Sequence, residues 1–283
     1  NSRPLLLYKA VYQRIIPPYN CLETHMRIVV CVKQVPDPSK VDLKVDKHTL
    51  RVVREGVPNV MDPGDEVTLE GALRLAEATP DSQVTLVSMG PQSAVEPLRM
   101  GLAMGADAAV LVSDEALEGA DAFVTARVLA SVISTMPYDL IMTSTESSDA
   151  SSGLVPGMLA GLLGVPHISL VRKLSMDNNS LGIERLTADG YQEVVSSTPA
   201  LLTISSGAYT PRYPTLRGIM QAKNKQIKIL SISEIGLSSD DLENIEEVIE
   251  IVEPQVKAEP QIITDINEGV ERILTILTQR GLL

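Results

Sequence analysis

From residue 26 onward the apolar and polar positions follow two alternating rhythms. Ile28-Val29-Val30-Cys31-Val32 is an unbroken apolar run of strand length. At Asp62-Pro63 the period changes to that of a helix: Asp62 can cap it, Pro63 suits its first position, and Asp65 and Glu66 favour the positive end of the dipole. Its stripe of Leu69, Leu73 and Ala76 stops before Pro80, and Val84 to Met89 predicts the next strand. A helix carrying Val95, Leu98 and Leu102 follows, closed by Gly101 and Gly105. Ala108 to Val112 predicts a strand, Ala120 to Met136 a helix, Leu140-Ile141-Met142 a strand, and Gly153 to Leu163 a helix that Gly164-Val165-Pro166 ends. Continuous aliphatic strands alternating with helices imply right-handed βαβ units, hence a doubly wound, mostly parallel α/β sheet with helices on both faces.

After Pro166 the rhythm shortens. Ile168 to Leu174, Gly182 to Leu186 and Glu193 to Ser197 predict strands, two of them joined at Asp189-Gly190, with Leu201 to Ile204 and Gln226 to Leu230 beyond. These are expected to form a mostly antiparallel extension of the same sheet. Residues 238–259 are acidic and interrupted by Pro254, and Ile266, Val270, Ile273, Leu274 and Leu277 then mark an amphipathic helix. Its stripe must be covered by the same domain or by a partner chain, and the pattern does not choose. Three regions result: 1–25 as a leader or non-native extension, 26–237 as the α/β domain, and 238–283 as an acidic arm ending in a helix.

Composition narrows the function. With 24 basic against 36 acidic residues the net charge is −12, which argues against a nucleic-acid partner, because such binding neutralises phosphates with Lys and Arg. No Trp and one Phe leave an aliphatic core. The two cysteines, Cys21 and Cys31, form no metal or disulfide framework, in keeping with a reducing cytoplasm. No run approaches the ~20 apolar residues that span a bilayer.

Neither G-x-G-x-x-G after the first strand nor a Walker loop is present, and His25, His48 and His167 sit in no catalytic pattern. Candidate chemistry therefore gathers where the parallel strands end, the place where open α/β sheets bind ligands. Three segments meet this criterion: Cys31 to Asp37, Met61 to Glu66, and Ser144 to Gly153. The third is dense in small hydroxyl residues before a helix, so that backbone N–H groups and the dipole could hold a phosphate without a lysine; alternatively its Ser and Asp side chains simply cap the helix.

Val30-Cys31-Val32-Lys33-Gln34-Val35-Pro36-Asp37 resembles the opening motif of the electron-transfer flavoprotein β subunit. So do Met61-Asp62-Pro63-Gly64-Asp65-Glu66, Gly101 to Asp107, and Pro211-Arg212-Tyr213-Pro214-Thr215-Leu216 followed by Ile219 to Lys223. The motifs stand in family order from Met26 to about Leu237. The resemblance implies a heterodimer with an α subunit that carries FAD, electrons passing from a dehydrogenase to a quinone reductase or other acceptor, and a Rossmann-like domain holding AMP or, in electron-bifurcating members, a second FAD. By motif match the nucleotide would touch Cys31, Met61, Asp62, Asp65, Met89, Ser144, Glu146, Asp149, Ser151, Ser152, Gly153, Leu154 and Val155. Tyr209, Thr210, Arg212 and Tyr213 are the corresponding docking residues, and the C-terminal helix would pack on the α subunit. Ala208-Tyr209-Thr210 stands where some members anchor acyl-CoA dehydrogenases through a Leu, so that partner is not implied. Val155 replaces a phosphate-donating Thr and leaves only backbone donors; Leu111 to Asp114 and Gly119 to Ala122 resemble a segment of bifurcating members, but Glu115 and Ala122 replace an Arg and a Thr there, which favours AMP. The subunit would have no catalytic residue of its own. The rival readings are a stand-alone adenine-nucleotide sensor and an enzyme acting on a nucleotide; the latter lacks an evident general base or metal cluster.

Overall fold

The computed structural model describes residues 25–40, 45–46, 48–54, 56–177, 180–252 and 261–283. The leader expected over residues 1–25 therefore falls outside the described residues except for His25, as do Cys21 and Pro254. Two units are distinguished, residues 1–247 and 248–283.

The first unit opens with β1 (Arg27–Cys31), β2 (Gln34–Pro36), a two-residue hairpin of β3 (Val45–Asp46) and β4 (Arg51–Val52), and β5 (Asn59–Met61). It continues through α1 (Pro63–Ala78), β6 (Gln83–Met89), α2 (Val95–Met104), β7 (Ala108–Val112), α3 (Ala122–Ser134), β8 (Leu140–Ser144) and α4 (Val155–Leu163). Then come β9 (His167–Asp177), β10 (Ser180–Thr187), β11 (Gly190–Ser196), β12 (Ala200–Ile204), α5 (Leu216–Asn224) and β13 (Ile227–Leu230). Nine of these strands form one sheet in the order β11-β10-β9-β12-β8-β1-β6-β7-β13.

The aliphatic runs are buried on both faces. Ile28 and Val30 of β1 join Leu69 and Leu73 of α1 and Leu98 and Leu102 of α2 in one cluster. Val29 points the other way, into a cluster with Val124, Val128 and Val132 of α3 and Leu159 of α4. β1 pairs in parallel with β6 on one side and β8 on the other. The chain winds outward from β1 through β6 and β7, then crosses back to β8, so the connections diverge between β1 and β8, the switch point at whose carboxyl ends open α/β sheets bind ligands. Among the described residues no helix is long and apolar enough to cross a membrane.

The later part of the sheet departs from expectation in two places. Only β9, β10 and β11 are antiparallel. β12 inserts in parallel between β8 and β9, and β13 adds in parallel to β7 at the opposite edge. A fully buried run such as Ala200 to Ile204 carries no mark of strand direction, and the crossover to β13 needs a helix that the apolar pattern does not announce: α5 buries only Ala222. Gly101, expected to help close α2, lies inside it beneath Leu86, while Gly105 terminates it. α4 begins at Val155 rather than Gly153, because Gly153 adopts a φ of +63°. The turn between β10 and β11 falls where Asp189-Gly190 places it, with Thr187 opposite Gly190.

In the second unit α6 (Ile266–Gln279) is capped by Asp265, whose carboxylate accepts the Glu268 N–H. Among the described residues its apolar stripe is exposed: Val270 is 51% exposed and Ile273 59%.

α5 lies against α2, where Arg99 donates to the carbonyls of Ala222 and Lys225 at 2.5 Å each and so completes the helix end. A Cβ on Gly218 would drive into the Ala103 carbonyl. Ala favours a helix interior over Gly by about 1 kcal/mol, but overpacking costs typically about 1–3 kcal/mol. Gly218→Ala is therefore expected to lower the urea midpoint, and an unchanged or higher midpoint would show that α5 can lift from α2 freely.

Candidate functional site

The crevice is built by three chain segments that the fold brings together. β1 ends at Cys31, and the Val32 N–H is taken by the Val87 carbonyl of β6. β2 and β5 then pair antiparallel, Gln34 opposite Met61, which carries the chain directly to the start of α1. There Asp62 is 2% exposed and receives hydrogen bonds from two directions. Its Oδ1 accepts the Gly64 N–H at 2.8 Å and so caps α1, while its Oδ2 accepts both the N–H and the hydroxyl of Ser148 at 2.7 Å. Its own N–H donates to the Lys33 carbonyl at 3.0 Å.

Asp65 lies one step deeper, 3% exposed, and accepts the Lys33 N–H at 2.7 Å. Burial, and then the neighbouring charge of Asp62, push its carboxyl up to about 7, against the opposing hydrogen bonds from Ser144 and Lys33. Burial and the charge of Asp65 likewise push the Cys31 thiol up to about 12, so Cys31 is a neutral wall residue and not a thiolate. Gly64 fits here because a Cβ would sit 3.0 Å from the Ser144 Cβ.

The third segment, residues 145–154, follows β8. Asp149 is buried, its Oδ1 accepting from Lys33 Nζ at 2.6 Å and its Oδ2 from Arg54. Burial works to raise its pKa, but the Lys33 charge and the hydrogen bonds from Lys33 and Arg54 hold it below the usual carboxylate range. Lys33 Nζ also donates to the Ser147 hydroxyl at 3.1 Å. The Ser151 N–H returns to the Ser147 carbonyl at 2.8 Å, and Ser151 itself adopts a φ of +47°. The alternative in which Ser or Asp caps the following helix is not realised: α4 starts after Leu154 with no side-chain cap.

Ser151, Ser152, Gly153 and Leu154 are exposed at the rim, as is Glu146. Small exposed residues before an uncapped helix end fit an anionic group held by main-chain N–H donors. Val155 adds no hydroxyl, so only the backbone can donate there. Met61, expected to touch the nucleotide, is buried in the core cluster with its Cε beside Gly101 of α2, and half-buried Met89 ends β6, the neighbour of β1.

Arg54 and Ser148 belong to this hydrogen-bonded network, although the sequence reading did not place them among the site residues. Ser148 was visible as part of a hydroxyl-rich loop. Arg54 carried no signal, since it meets Asp149 across 95 residues.

The residues expected to dock a partner divide. The Tyr209 ring covers Gly71 of α1, with the Arg74 guanidinium 5.6 Å from its centroid. Arg212 points inward, its backbone N–H and Nε donating to Glu70 at 3.1 and 2.8 Å and its terminal nitrogens reaching Glu77. Thr210 is exposed, and Tyr213 is 92% exposed.

Comparison with known proteins identifies the family. A family described as the electron transfer flavoprotein domain matches residues 49–235. The electron transfer flavoprotein subunit beta of Thermoanaerobacterium thermosaccharolyticum is 35% identical over 260 residues, covering 90% of this chain and 99% of that protein. That of Megasphaera elsdenii is 38% identical over 218 residues, 75% of this chain and 80% of its own length. Subunit CarD of the caffeyl-CoA reductase-Etf complex of Acetobacterium woodii is 38% identical over 216 residues, 76% and 82% respectively.

The Asp65 carboxyl has a clear pH signature. A carboxyl whose folded pKa lies above its unfolded value near 3.8 binds protons more tightly in the folded state, so its ionisation lowers stability as pH rises toward and past about 7. Asp65→Asn keeps an acceptor for the Lys33 N–H without the charge. It is expected to raise Tm by roughly a few degrees at pH 8 and to lose that advantage progressively as pH falls to 5. A variant with a lower Tm at pH 8 would show that the ionised group is needed in the fold.

Proposed function

The chain belongs to the electron transfer flavoprotein family as a β-type subunit, and from that premise we propose that it holds AMP in the crevice at the tips of β1, β6 and β8 while bracing the FAD of a larger α subunit. The observation that carries the nucleotide reading is the uncapped start of α4, approached by a loop of small residues that Asp62 grips through Ser148. Electrons would pass through the partner's flavin between a dehydrogenase and a quinone reductase or comparable acceptor. This chain would supply a rigid support and a docking surface and no catalytic residue.

AMP is favoured over a second FAD by the start of α3. The Asp121 carboxylate already accepts the N–H groups of Val124, Ile245 and Glu246. A longer dinucleotide reaching that helix end would meet an occupied, negatively charged cap, with Glu115 and Glu118 nearby in the chain. The second reading, an electron-bifurcating subunit with a second FAD, draws on the similarity to a subunit of a caffeyl-CoA reductase-Etf complex.

The exposed stripe of α6 supports a role for the arm in holding the partner. A helix of this kind gains little from forming alone and buries its apolar face on association.

Co-expression with a candidate α subunit, followed by a visible spectrum and a nucleotide extract, tests the function. The expected product is a yellow heterodimer releasing one FAD and one AMP. Two FAD and no AMP would establish the second reading, and a colourless chain that forms no heterodimer would overturn both. In the same preparation Ile273→Asp is expected to weaken the heterodimer by about tenfold or more, as for a buried anchor at an interface, while leaving the melting of the first unit unchanged. An unaltered dimer affinity would remove α6 from the interface.

A further inference from the structure

The motif resemblance places Asp149 among nucleotide-contacting residues, yet its surroundings describe a different task. The side chain is 1% exposed, and each carboxylate oxygen is taken by a cation, one by Lys33 and the other by Arg54. We propose that Asp149 is a positioning residue: with Lys33 and Arg54 it fixes the shape of the loop that receives the nucleotide, and it does not touch the nucleotide itself. This inference rests on the nucleotide reading given above and deepens it.

Three consecutive loop residues are each fastened to the opposite wall of the crevice. Lys33 Nζ holds the Ser147 hydroxyl at 3.1 Å and Asp149 at 2.6 Å. Between them the N–H and hydroxyl of Ser148 are held by Asp62 at 2.7 Å. Lys33 is itself fixed, because its N–H donates to Asp65 and its carbonyl accepts from Asp62. Residues 147–149 thus form an anchored floor. Ser151 to Leu154 lie exposed beyond it and lead into the uncapped start of α4. The anchored part of the loop is held by the buried Asp149 side chain, and Ser151 to Leu154, the part free to meet a ligand, carry no charge of their own.

Electrostatics agree with this division. A buried carboxylate without a counter-charge is strongly unfavourable, whereas one shared by two cations is stable. Arg54 joins from the stretch just after β4, and Arg51 of β4 reaches Glu118 at 3.6 Å. The segment containing both arginines is thereby fastened to the loop after β7 and to the loop after β8.

A contact residue and a positioning residue differ in how they combine with Lys33. If Asp149 acts only through the cation pair, removing Lys33 removes most of what Asp149 does, and the two changes are not additive. The experiment uses the full chain co-expressed with its α subunit, stripped of nucleotide and titrated calorimetrically with AMP. Asp149→Asn and Lys33→Met are each expected to weaken AMP by about tenfold or more, as for a broken buried ion pair, with the double variant no weaker than the poorer single one. Lys33→Arg is expected to restore most of the affinity. Amide hydrogen exchange over residues 147–153, measured without AMP, should rise in both single variants to a similar extent.

Additive losses with unchanged exchange in Asp149→Asn would overturn the proposal and make Asp149 a ligand contact. If the unaltered complex fails to bind AMP, the nucleotide reading falls, but the exchange measurement still decides the loop assignment: a parallel rise supports it and no rise overturns it. If Asp149→Asn does not assemble, Arg54→Gln takes its place, since it removes one cation from an exposed segment. Unchanged exchange and unchanged AMP affinity in that variant would count against the clamp.

Discussion

A carboxylate cannot be buried in an α/β core unless its oxygens are satisfied, and Asp62 meets that condition by serving two segments at once. One oxygen caps α1 through Gly64, and the other holds the loop after β8 through Ser148. The crevice exists because those two segments are joined there. Asp65, placed beside Asp62 by the first turn of α1, feels both burial and that charge, and its carboxyl is pushed up to about 7. Nearby, Lys33 and Arg54 concentrate positive charge on Asp149. An acidic floor and a cation-paired loop therefore lie side by side, and the exposed rim between the loop and α4 is left to main-chain donors.

α1 joins the crevice to the docking segment. Its first turn carries Asp62 and Asp65, and its body carries Glu70, Gly71, Arg74 and Glu77, which receive Tyr209 and Arg212. Eight residues separate Asp62 from Glu70, on the order of 12 Å along a helix axis. Glu70 is itself buried, and hydrogen bonds from Arg212 and Arg74 hold its carboxyl below the usual range against the opposing effect of burial. The inward turn of Arg212 leaves Tyr213 outermost on that stretch. The exposed surface of that stretch is thus more apolar than the motif Pro211-Arg212-Tyr213 suggests by itself.

Much of the architecture and part of the site could be read along the chain. The runs Ile28 to Val32, Val84 to Met89 and Ala108 to Val112 and the stripes of α1, α2 and α3 are local patterns, set by how side chains repeat over one or two turns or a few strand residues. The capping role of Asp62 was legible for the same reason, because an N-cap and its helix lie within a few residues of each other. Of the three segments that meet at the strand tips, Cys31 to Asp37 and Met61 to Glu66 lie within family motifs, and Ser144 to Gly153 was marked by small hydroxyl residues between a strand and a helix.

Other features required the assembled molecule. Nothing within Ala200 to Ile204 states that it inserts in parallel beside β8, and nothing near Ile227 to Leu230 states that it crosses to β7. Strand partnership depends on backbone groups that meet across long separations, and an apolar run looks the same in either direction. The same holds for Arg54 with Asp149 and for Arg212 with Glu70 and Glu77, pairs separated by 95, 142 and 135 residues. Local periodicity determined what each segment would become. Only the packed sheet decided which charges face one another, because that choice is made by burial and proximity in three dimensions.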